Sequence, residues 1–345
     1  MMKSSPVILA LLAMLLTTTA PATAVPDLSP AGPVAWSPAY SVYRGGSVWL
    51  GGPPDAAALA TAKGLGLEIV VDLRGPEEET ATTAAAVRAS GLAYHSVPFP
   101  KGAPLRAEAV QRVAEIVASA APGSVLVHCS TGQRAAGWWA SDLIMRQDMP
   151  VDQALAAART AGLEKDTVAA GVRAFAQELQ ARRIADEAAN QLAGTLMGRL
   201  QAALDADGVE AGAKVCAEMA QSITADVGAR HGATVARTAL RVRNPANRPD
   251  RFEKDWLITQ QERVESGRFA ESHYEVVATA DGKRVLRHLR PILFPGGICV
   301  QCHGSVAEIP EEVKAFLHER YPDDEATGYA AGDLRGAISV RVPID

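Results

Sequence analysis

The sequence of 345 residues is short of cysteine and of long hydrophobic segments. It contains only four cysteines, and after the N-terminal region no run of eighteen consecutive apolar residues occurs, which excludes a permanent membrane span on sequence grounds. A net charge of −5 and a pI near 5.9 argue against nucleic acid as a partner. The length allows two domains, and a hydrophobic content of 48% is ordinary for a globular chain.

The N-terminal residues have the pattern of a cleavable export signal. Lys3 precedes a short apolar run over residues 7–16, and small residues follow at positions 22–24. This pattern predicts a signal peptide over residues 1–24 and a periplasmic or secreted protein. No cysteine lies at the cleavage site, so a lipoprotein anchor is not expected.

The motif Cys299-Val300-Gln301-Cys302-His303 predicts the attachment of a c-type haem. Thiols at this spacing reach the two vinyl groups on one edge of the porphyrin, and His303 then lies below the iron as an axial ligand. A redox Cys pair or half of a zinc site is the alternative. A zinc site would need a second ligand pair of similar spacing, which the sequence lacks. We therefore expect one covalent haem c.

Alternating predicted strands and helices indicate an α/β domain over residues 38–165. Residues 67–72 and 124–128 are rich in β-branched and apolar side chains and are predicted as buried strands. Alternation of this kind predicts a central, mostly parallel sheet. The predicted helices cover residues 55–63, 80–90, 107–118, 134–146 and 151–160.

A predicted anion-binding loop follows the second of these strands. Cys129 stands at the strand end and Arg134 at the start of the next helix, so loop amides and a guanidinium would converge on a small oxyanion. The same field favours a thiolate at Cys129. His128 is expected to orient the cysteine, and a buried, unreactive thiol is the alternative. The predicted loop residues are Ser130, Thr131, Gly132 and Gln133.

The motif His128-Cys129-x-x-Gly132-x-Arg134 resembles the signature loop of the tyrosine and dual-specificity phosphatases. Residues 42–46, 71–77 and 91–98 are similar to a bacterial subgroup of phosphatase-like domains. The resemblance implies that Cys129 is a nucleophile and that Arg134 binds the oxyanion.

Two departures from the phosphatase pattern keep other reactions open. Four residues separate Cys129 from Arg134 where phosphatases have five, and a spacing of four is closer to a rhodanese loop, whose cysteine carries a persulfide. No aspartate lies between Leu73 and Cys129 to act as the general acid; the alternatives are Glu77, Glu78 and Glu79. Phosphatase-type transfer, transfer of sulfane sulfur and binding without catalysis all remain candidates.

Residues 166–206 are predicted to be helical almost throughout, with a helical linker at 166–187. Leucines at positions 192, 196, 200 and 204 form an apolar stripe on one face. Two helices that pack on their respective domains would explain the pattern. A linker that transmits the state of the haem to the first domain is the alternative.

From about residue 184 the chain resembles a PAS-like single-haem c family first known from cyanobacteria. The resemblance implies a haem held by His303 on one side and by Cys216 on the other. Alternating residues at 273–277 and 335–342 predict an antiparallel sheet, so that residues 188–345 form an α+β haem domain. The resemblance is carried by residues 213–216, 237–249, 299–304, 321–329 and 332–340.

Cys216 lies in a helical run, and a thiolate opposite His303 would lower the reduction potential of the iron. The alternatives for the sixth position are His231, His273, His288 or no ligand, and a Cys129–Cys216 disulfide is a further alternative for the thiol. Filled axial positions favour redox sensing or electron transfer over catalysis at the haem. The sequence therefore predicts an exported haem sensor coupled to Cys129.

An electron-transfer protein of sulfur metabolism, with a persulfide on Cys129, is the second hypothesis. A binding module that carries a haem reporter is the third. A redox partner protein and a small oxyanion or sulfane-sulfur substrate are the expected partners.

Overall fold

The structure is a computed structural model that describes residues 31–34, 42–78 and 80–344. The predicted signal peptide lies outside these residues. The first half of the chain folds around a mixed sheet. The strands are β1 (Ala31–Val34), β2 (Val42–Gly45), β3 (Val48–Gly51), β4 (Ile69–Asp72), β5 (Ala93–Ser96) and β6 (Val125–His128). The helices are α1 (Ala56–Gly64), α2 (Thr80–Ala89), α3 (Ala107–Ala118), α4 (Gln133–Gln147) and α5 (Val151–Thr160).

The sheet has the order β1-β2-β3-β6-β4-β5. Strands β3, β6, β4 and β5 run parallel, and β1 and β2 are added antiparallel at one edge. Strand β6 is buried along its whole length, as expected for a central strand with helices on both faces. The prediction of an α/β domain with a mostly parallel sheet is confirmed. Because β4 and β6 are parallel neighbours, their carboxyl ends lie side by side, which places Asp72 beside His128.

A long helical segment, α6 (Asp166–Lys214), joins the two halves of the chain, and a non-helical residue, Gly208, divides it into a long and a short helix. Its first turns contribute Val172 and Phe175 to the core of the α/β domain, and its middle contributes Ala185 and Leu192 to the second core. The predicted linker at 166–187 is therefore the beginning of a helix that both cores share. The expectation that each helix packs on its own domain is wrong, because the helix before Gly208 contributes to both cores.

The second half is an α+β domain with the sheet order β7-β10-β9-β8, antiparallel throughout. The predicted antiparallel sheet is confirmed. Its strands are β7 (Thr234–Thr238), β8 (His273–Ala278), β9 (Arg284–Leu293) and β10 (Leu334–Ile344). Its helices after α6 are α7 (Ala220–Arg230), α8 (Arg251–Glu265), α9 (Val300–His303) and α10 (Glu311–Arg320), with a π-helical turn at Val215–Met219.

Within the described residues, no helix combines the length and the hydrophobicity needed to cross a bilayer.

Candidate functional site

A cavity of about 460 Å³ in the second domain brings together Cys299, Cys302, His303 and Cys216. Its volume is in the range of protein sites for small molecules and cofactors, roughly 300–1,000 Å³. Much of the remaining wall is apolar, and the leucine stripe of α6 supplies part of it: Leu196, Leu200 and Leu204. The stripe predicted from the sequence therefore contributes both to a core and to this cavity.

The imidazole of His303 is oriented by the backbone of a neighbouring loop. Its Nδ1 lies 2.7 Å from the carbonyl oxygen of Ala326, and since a carbonyl only accepts, Nδ1 donates. This bond leaves Nε2 with its lone pair free, the arrangement in which a histidine binds a metal. Burial holds the pKa of His303 well below its ordinary value, so the ring is neutral at pH 7. Phe294 and Tyr329 pack edge-on against it.

Cys216 reaches the cavity because the helix before it changes direction. Gly208 has φ 76° and ψ −163°, a conformation that side chains rarely tolerate, and it breaks α6 near its end. Beyond this break, Gly212 packs so closely on Leu204 that a β-carbon would lie 2.8 Å from that side chain. Cys216 then lies in the π-helical turn, a feature often found at functional sites.

Burial raises the pKa of the Cys216 thiol, while Arg237 and Arg243 oppose the rise. Among the described residues, no carboxylate lies within salt-bridge distance of two arginines in this cavity, Arg237 and Arg335. The Nε of Arg237 is buried without a hydrogen bond among the described residues. Burial lowers the pKa of Arg237 and of Arg335, because a cation there has lost its hydration. No aspartate or glutamate is among the described residues that line the cavity.

Arg243, in contrast, is paired with Asp324 at 2.8 Å and donates to the carbonyl of Cys302 at 2.5 Å, so it holds the Cys-x-x-Cys-His segment in place. The residues of the cavity fit a haem: two thiols, two axial donors, an apolar wall and buried cations for the propionate carboxylates.

The other histidines considered for the sixth position lie elsewhere. His231 contacts Gln191 at 2.6 Å, and His273 lies beside Glu275 at 3.0 Å on strand β8. His288 is buried under the ring of Tyr274. None of the three lines the cavity that contains His303. Cys129 and Cys216 are both free thiols and line different cavities.

The cysteine loop of the first domain lies where β6 meets α4. Only 1% of Cys129 is exposed, and its N–H donates to Gly51 at 3.2 Å. Gly132 has φ 81° and lies against the backbone of Gly51, where a β-carbon would come within 3.4 Å. Within the described part of the chain, the amides of Ser130, Thr131 and Gly132 have no acceptor, so they can bind an anion.

Gln133, predicted as part of the anion-binding loop, has its side chain engaged elsewhere. Its Oε1 accepts from the amides of Glu164 and Lys165 at 2.8 and 2.9 Å, and its Nε2 donates to Gly162 at 2.7 Å. The side chain thus satisfies backbone groups at the start of α6. It connects the cysteine loop to the long helix and does not point at a bound anion.

Arg134 is committed to a carboxylate that the sequence did not place. Its two terminal nitrogens bind Glu78 at 2.7 and 2.5 Å, and they also donate to the carbonyl of Phe99 and to Ser130 Oγ. Burial alone would lower the pKa of Arg134, but Glu78 and Cys129 raise it overall. The hydrogen bond from Arg134 lowers the pKa of Glu78, which is therefore a carboxylate and not a proton donor at neutral pH.

Below the loop, His128 belongs to a buried polar cluster. Its Nε2 is 3.6 Å from Asp72, too far for a hydrogen bond, and makes no hydrogen bond among the described residues. The Asp72 carboxylate accepts from Arg74 and Tyr94. Burial lowers the pKa of His128 to about 4, so the ring is neutral at pH 7. Burial would raise the pKa of Asp72, but Arg74 and His128 lower it overall. The cluster supports the predicted orienting role of His128, because it fixes the end of β6 from which Cys129 projects.

The sequence named Glu78 only as a candidate acid, and it did not indicate the roles of Arg237 and Gly208. Glu78 was one of three adjacent glutamates, and only the fold shows which of them reaches Arg134. Arg237 lies on β7, and the pattern of apolar and polar residues in the sequence does not show whether an arginine on a strand will have an acidic partner. Gly208 carried a signal that could have been used, because a glycine in a long helical pattern costs about 1 kcal/mol and marks a helix end or a break.

Comparison with known proteins gives one family. The family profile described as Tll0287-like, Tll0287, matches residues 153–343. This match begins in α5, well before the predicted domain boundary at residue 188. A search of curated proteins gives no match.

Among solved structures, the cyanobacterial heme-protein Tll0287 is 23% identical, with 44% of this chain and 92% of that chain covered and a TM-score of 0.33. TpbA of P. aeruginosa is also 23% identical, with 42% and 91% covered and a TM-score of 0.35. Tk-PTP in its active form is 18% identical, with 38% and 91% covered and a TM-score of 0.32.

Proposed function

The chain belongs to the Tll0287-like family, and we propose that it is an exported c-type haem protein that senses redox state and is coupled to the thiol site at Cys129. The observation that carries the proposal is the single cavity lined by Cys216, Cys299, Cys302 and His303. Cys299 and Cys302 would hold the haem through thioether bonds. His303 and Cys216 would be the protein ligands of the iron.

When bound, the haem supplies one-electron redox chemistry. The chain would position it: the hydrogen bond from His303 Nδ1 to the Ala326 carbonyl fixes the imidazole ring, and Arg237 and Arg335 would provide positive charge for the two propionates. If His303 and Cys216 both bind the iron, the haem would supply electron transfer and not a binding site for substrate. That arrangement suits a sensor or an electron carrier that works with a redox partner protein.

Covalent attachment of the haem can be tested on protein expressed in a periplasm that has the c-type maturation machinery. Mass spectrometry measures the mass of the mature chain, and acid–acetone extraction shows whether the haem stays attached to it. The mature chain is expected to keep one haem through extraction and to begin after the predicted signal peptide. Cys299→Ser and Cys302→Ser should each lose one thioether bond, and the double variant should release all haem. Cys129→Ser is the control for general loss of a thiol. Complete release of haem from the correctly matured wild-type chain would contradict the proposal.

The second axial ligand is tested separately. Cys216→Ala should shift the Soret band and raise the reduction potential, because a thiolate donates electron density to the iron. Met219→Leu, an exposed change in the same π-helical turn, should leave both unchanged. An unaltered spectrum and potential in Cys216→Ala would assign the sixth position to another group.

A second candidate function is transfer of sulfane sulfur at Cys129, favoured by the deprotonated state of Glu78. A carboxylate held by Arg134 cannot protonate the alkoxide that leaves in phosphoryl transfer, whereas sulfite leaves without a proton. In the proposed step the Cys129 thiolate attacks the sulfane sulfur of thiosulfate. A new sulfur–sulfur bond forms on Cys129, the sulfur–sulfur bond of thiosulfate breaks, and its electron pair leaves with sulfite.

The two reactions are separated by mass spectrometry of Cys129 after incubation with thiosulfate, and by turnover of an aryl phosphate. Persulfide on Cys129 with little phosphatase activity is the expected result, since loss of a general acid costs about 10²–10⁴-fold in rate. Rapid hydrolysis of unactivated alkyl phosphates without sulfur loading would reverse the assignment.

A further inference from the structure

A cavity of about 1110 Å³ lies between the two domains, and the cysteine loop opens into it. Cys129 and Arg134 line it from the first domain. All the residues of strand β8 (His273–Ala278) line it from the second domain. The volume exceeds that of most small-molecule sites, roughly 300–1,000 Å³, so the cavity can hold a segment of polypeptide.

Strand β8 presents a free edge to this cavity. In the sheet of the second domain it pairs with β9 on one side, and no described strand pairs with its other side. Successive side chains of a strand point to opposite faces, so a cavity lined by six consecutive residues must run along the edge itself. Main-chain donors and acceptors at such an edge can bind an added strand.

The cavity carries positive charge that is not neutralised within the described residues. Lys101, Arg106 and Lys165 line it from the first domain and the start of α6, and Arg284 lines it from β9. In the described part of the chain none of the four has a carboxylate within salt-bridge distance. This cluster occurs in a protein whose net charge is −5. Its charge favours a negatively charged ligand.

The acidic side chains of the same cavity are already engaged. Glu108 and Glu178 both bind Arg182, at 2.8 Å, and Glu275 lies 3.0 Å from His273. Arg182 offsets only one of these charges, but the described lining as a whole remains positive, with six cations (Lys101, Arg106, Arg134, Lys165, Arg182 and Arg284) against three carboxylates (Glu108, Glu178 and Glu275).

We propose that the cavity between the domains binds an acidic polypeptide segment in an extended conformation, which adds as a strand to the free edge of β8 and passes Cys129. Main-chain hydrogen bonds to β8 supply the register, and Lys165 and Arg284 recognise acidic side chains from opposite domains. The proposal goes beyond the haem function and requires no reaction at Cys129.

The probe is a fluorescein-labelled octapeptide that alternates glutamate and threonine, titrated into the haem-loaded mature protein while anisotropy is followed. A peptide with lysine in place of glutamate is the charge control. The acidic peptide is expected to bind, to bind less tightly as salt is raised, and to slow the alkylation of Cys129 by iodoacetamide. Methylation of alternate peptide amides, in two complementary sets, should abolish binding for one set, because those amides would donate to β8.

Two variants test whether both domains contribute. Arg284→Gln and Lys165→Gln should each weaken binding by about two- to fivefold, the effect of one partly exposed ion pair. Lys283→Gln is the matched control, because Lys283 is adjacent in sequence, lies outside the cavity and pairs with Asp281. Failure of the acidic peptide to bind, equal binding of the basic peptide, indifference to both methylated sets, or an equal loss in Lys283→Gln would each overturn the proposal.

Discussion

At the scale of single residues, the ion pair between Glu78 and Arg134 controls what the cysteine loop can bind. The loop amides of Ser130, Thr131 and Gly132 are available, whereas the guanidinium is occupied. An oxyanion therefore meets only half of the site that the motif indicates. The sequence predicted the cysteine, the glycine turn and the arginine, but it could not predict the occupied arginine, because Glu78 lies 56 positions away in the chain.

Replacement of this carboxylate should open the site. In Glu78→Gln the charged hydrogen bonds to Arg134 are lost, so phosphate and sulfate should protect Cys129 from alkylation at concentrations about tenfold lower than in the wild type. Glu77→Gln, the neighbouring exposed glutamate, is the matched control and should behave as wild type. If anions protected Cys129 equally in the wild type and in Glu78→Gln, the ion pair between Glu78 and Arg134 would not compete with anion binding.

The buried histidine behind Cys129 predicts a pH dependence of stability. The pKa of His128 is lowered by burial to about 4, against an ordinary value near 6.5. The unfolded chain therefore binds a proton between these values while the folded chain does not. The stabilisation is complete above pH 6.5 and is lost as the pH falls towards 4, by about 3 kcal/mol.

Urea denaturation at pH 7 and at pH 5 measures this effect as the decrease in the free energy of unfolding between the two pH values. The loss of stability on acidification should be smaller in His128→Gln than in wild type, even if the variant is less stable at both values. His95→Gln, on strand β5 of the same sheet, controls for the removal of a histidine. An identical loss in His128→Gln and wild type would show that the ring takes up its proton without unfolding.

At the scale of elements, the positions of helices and strands were largely predictable, while the path of α6 was not. Helices α3 and α5 have the predicted bounds because their apolar periodicity is local information. The long helix satisfies two cores at once, and a periodic pattern does not reveal which core each turn serves. Its break at Gly208 directs the following segment towards the haem cavity, which makes a backbone conformation part of the site.

Gly208 and Gly198 provide a matched pair in this helix. Gly208→Ala should cost on the order of 1–3 kcal/mol, because alanine must adopt a conformation that only glycine tolerates, and it should alter the Soret band by displacing Cys216. Gly198→Ala, at a helical position with open space around it, should be neutral or stabilising by up to about 1 kcal/mol. Thermal denaturation and absorption spectra of both variants measure this. Wild-type behaviour of Gly208→Ala would show that the turn does not direct the axial ligand.

At the scale of the whole molecule, Arg182 connects the domains where α6 passes between them. It lies on α6 and binds Glu108 of α3 at 2.8 Å, while its guanidinium is 4.9 Å from the centre of the Tyr274 ring on β8. Tyr274 in turn donates to Asp186 on the same helix at 2.6 Å. These contacts join the sheet of the haem domain to the wall of the cysteine cavity. Two domains could be predicted from the motifs, but this contact could not, because Arg182 and Tyr274 belong to neither motif.

Coupling through this contact predicts a difference in hydrogen exchange. If the redox state of the haem alters the position of β8, the amides of the loop at 129–134 should exchange at different rates in the oxidised and reduced protein. Arg182→Gln should reduce that difference, because it removes the ion pair to Glu108 and the cation above Tyr274. Arg183→Gln is the control, since Arg183 is the next residue of α6 and pairs with Asp148 of the first domain at 2.5 Å. Loop exchange that is identical in both redox states of the wild type would show that the two sites work independently, and an undiminished difference in Arg182→Gln would assign the coupling to another path along α6.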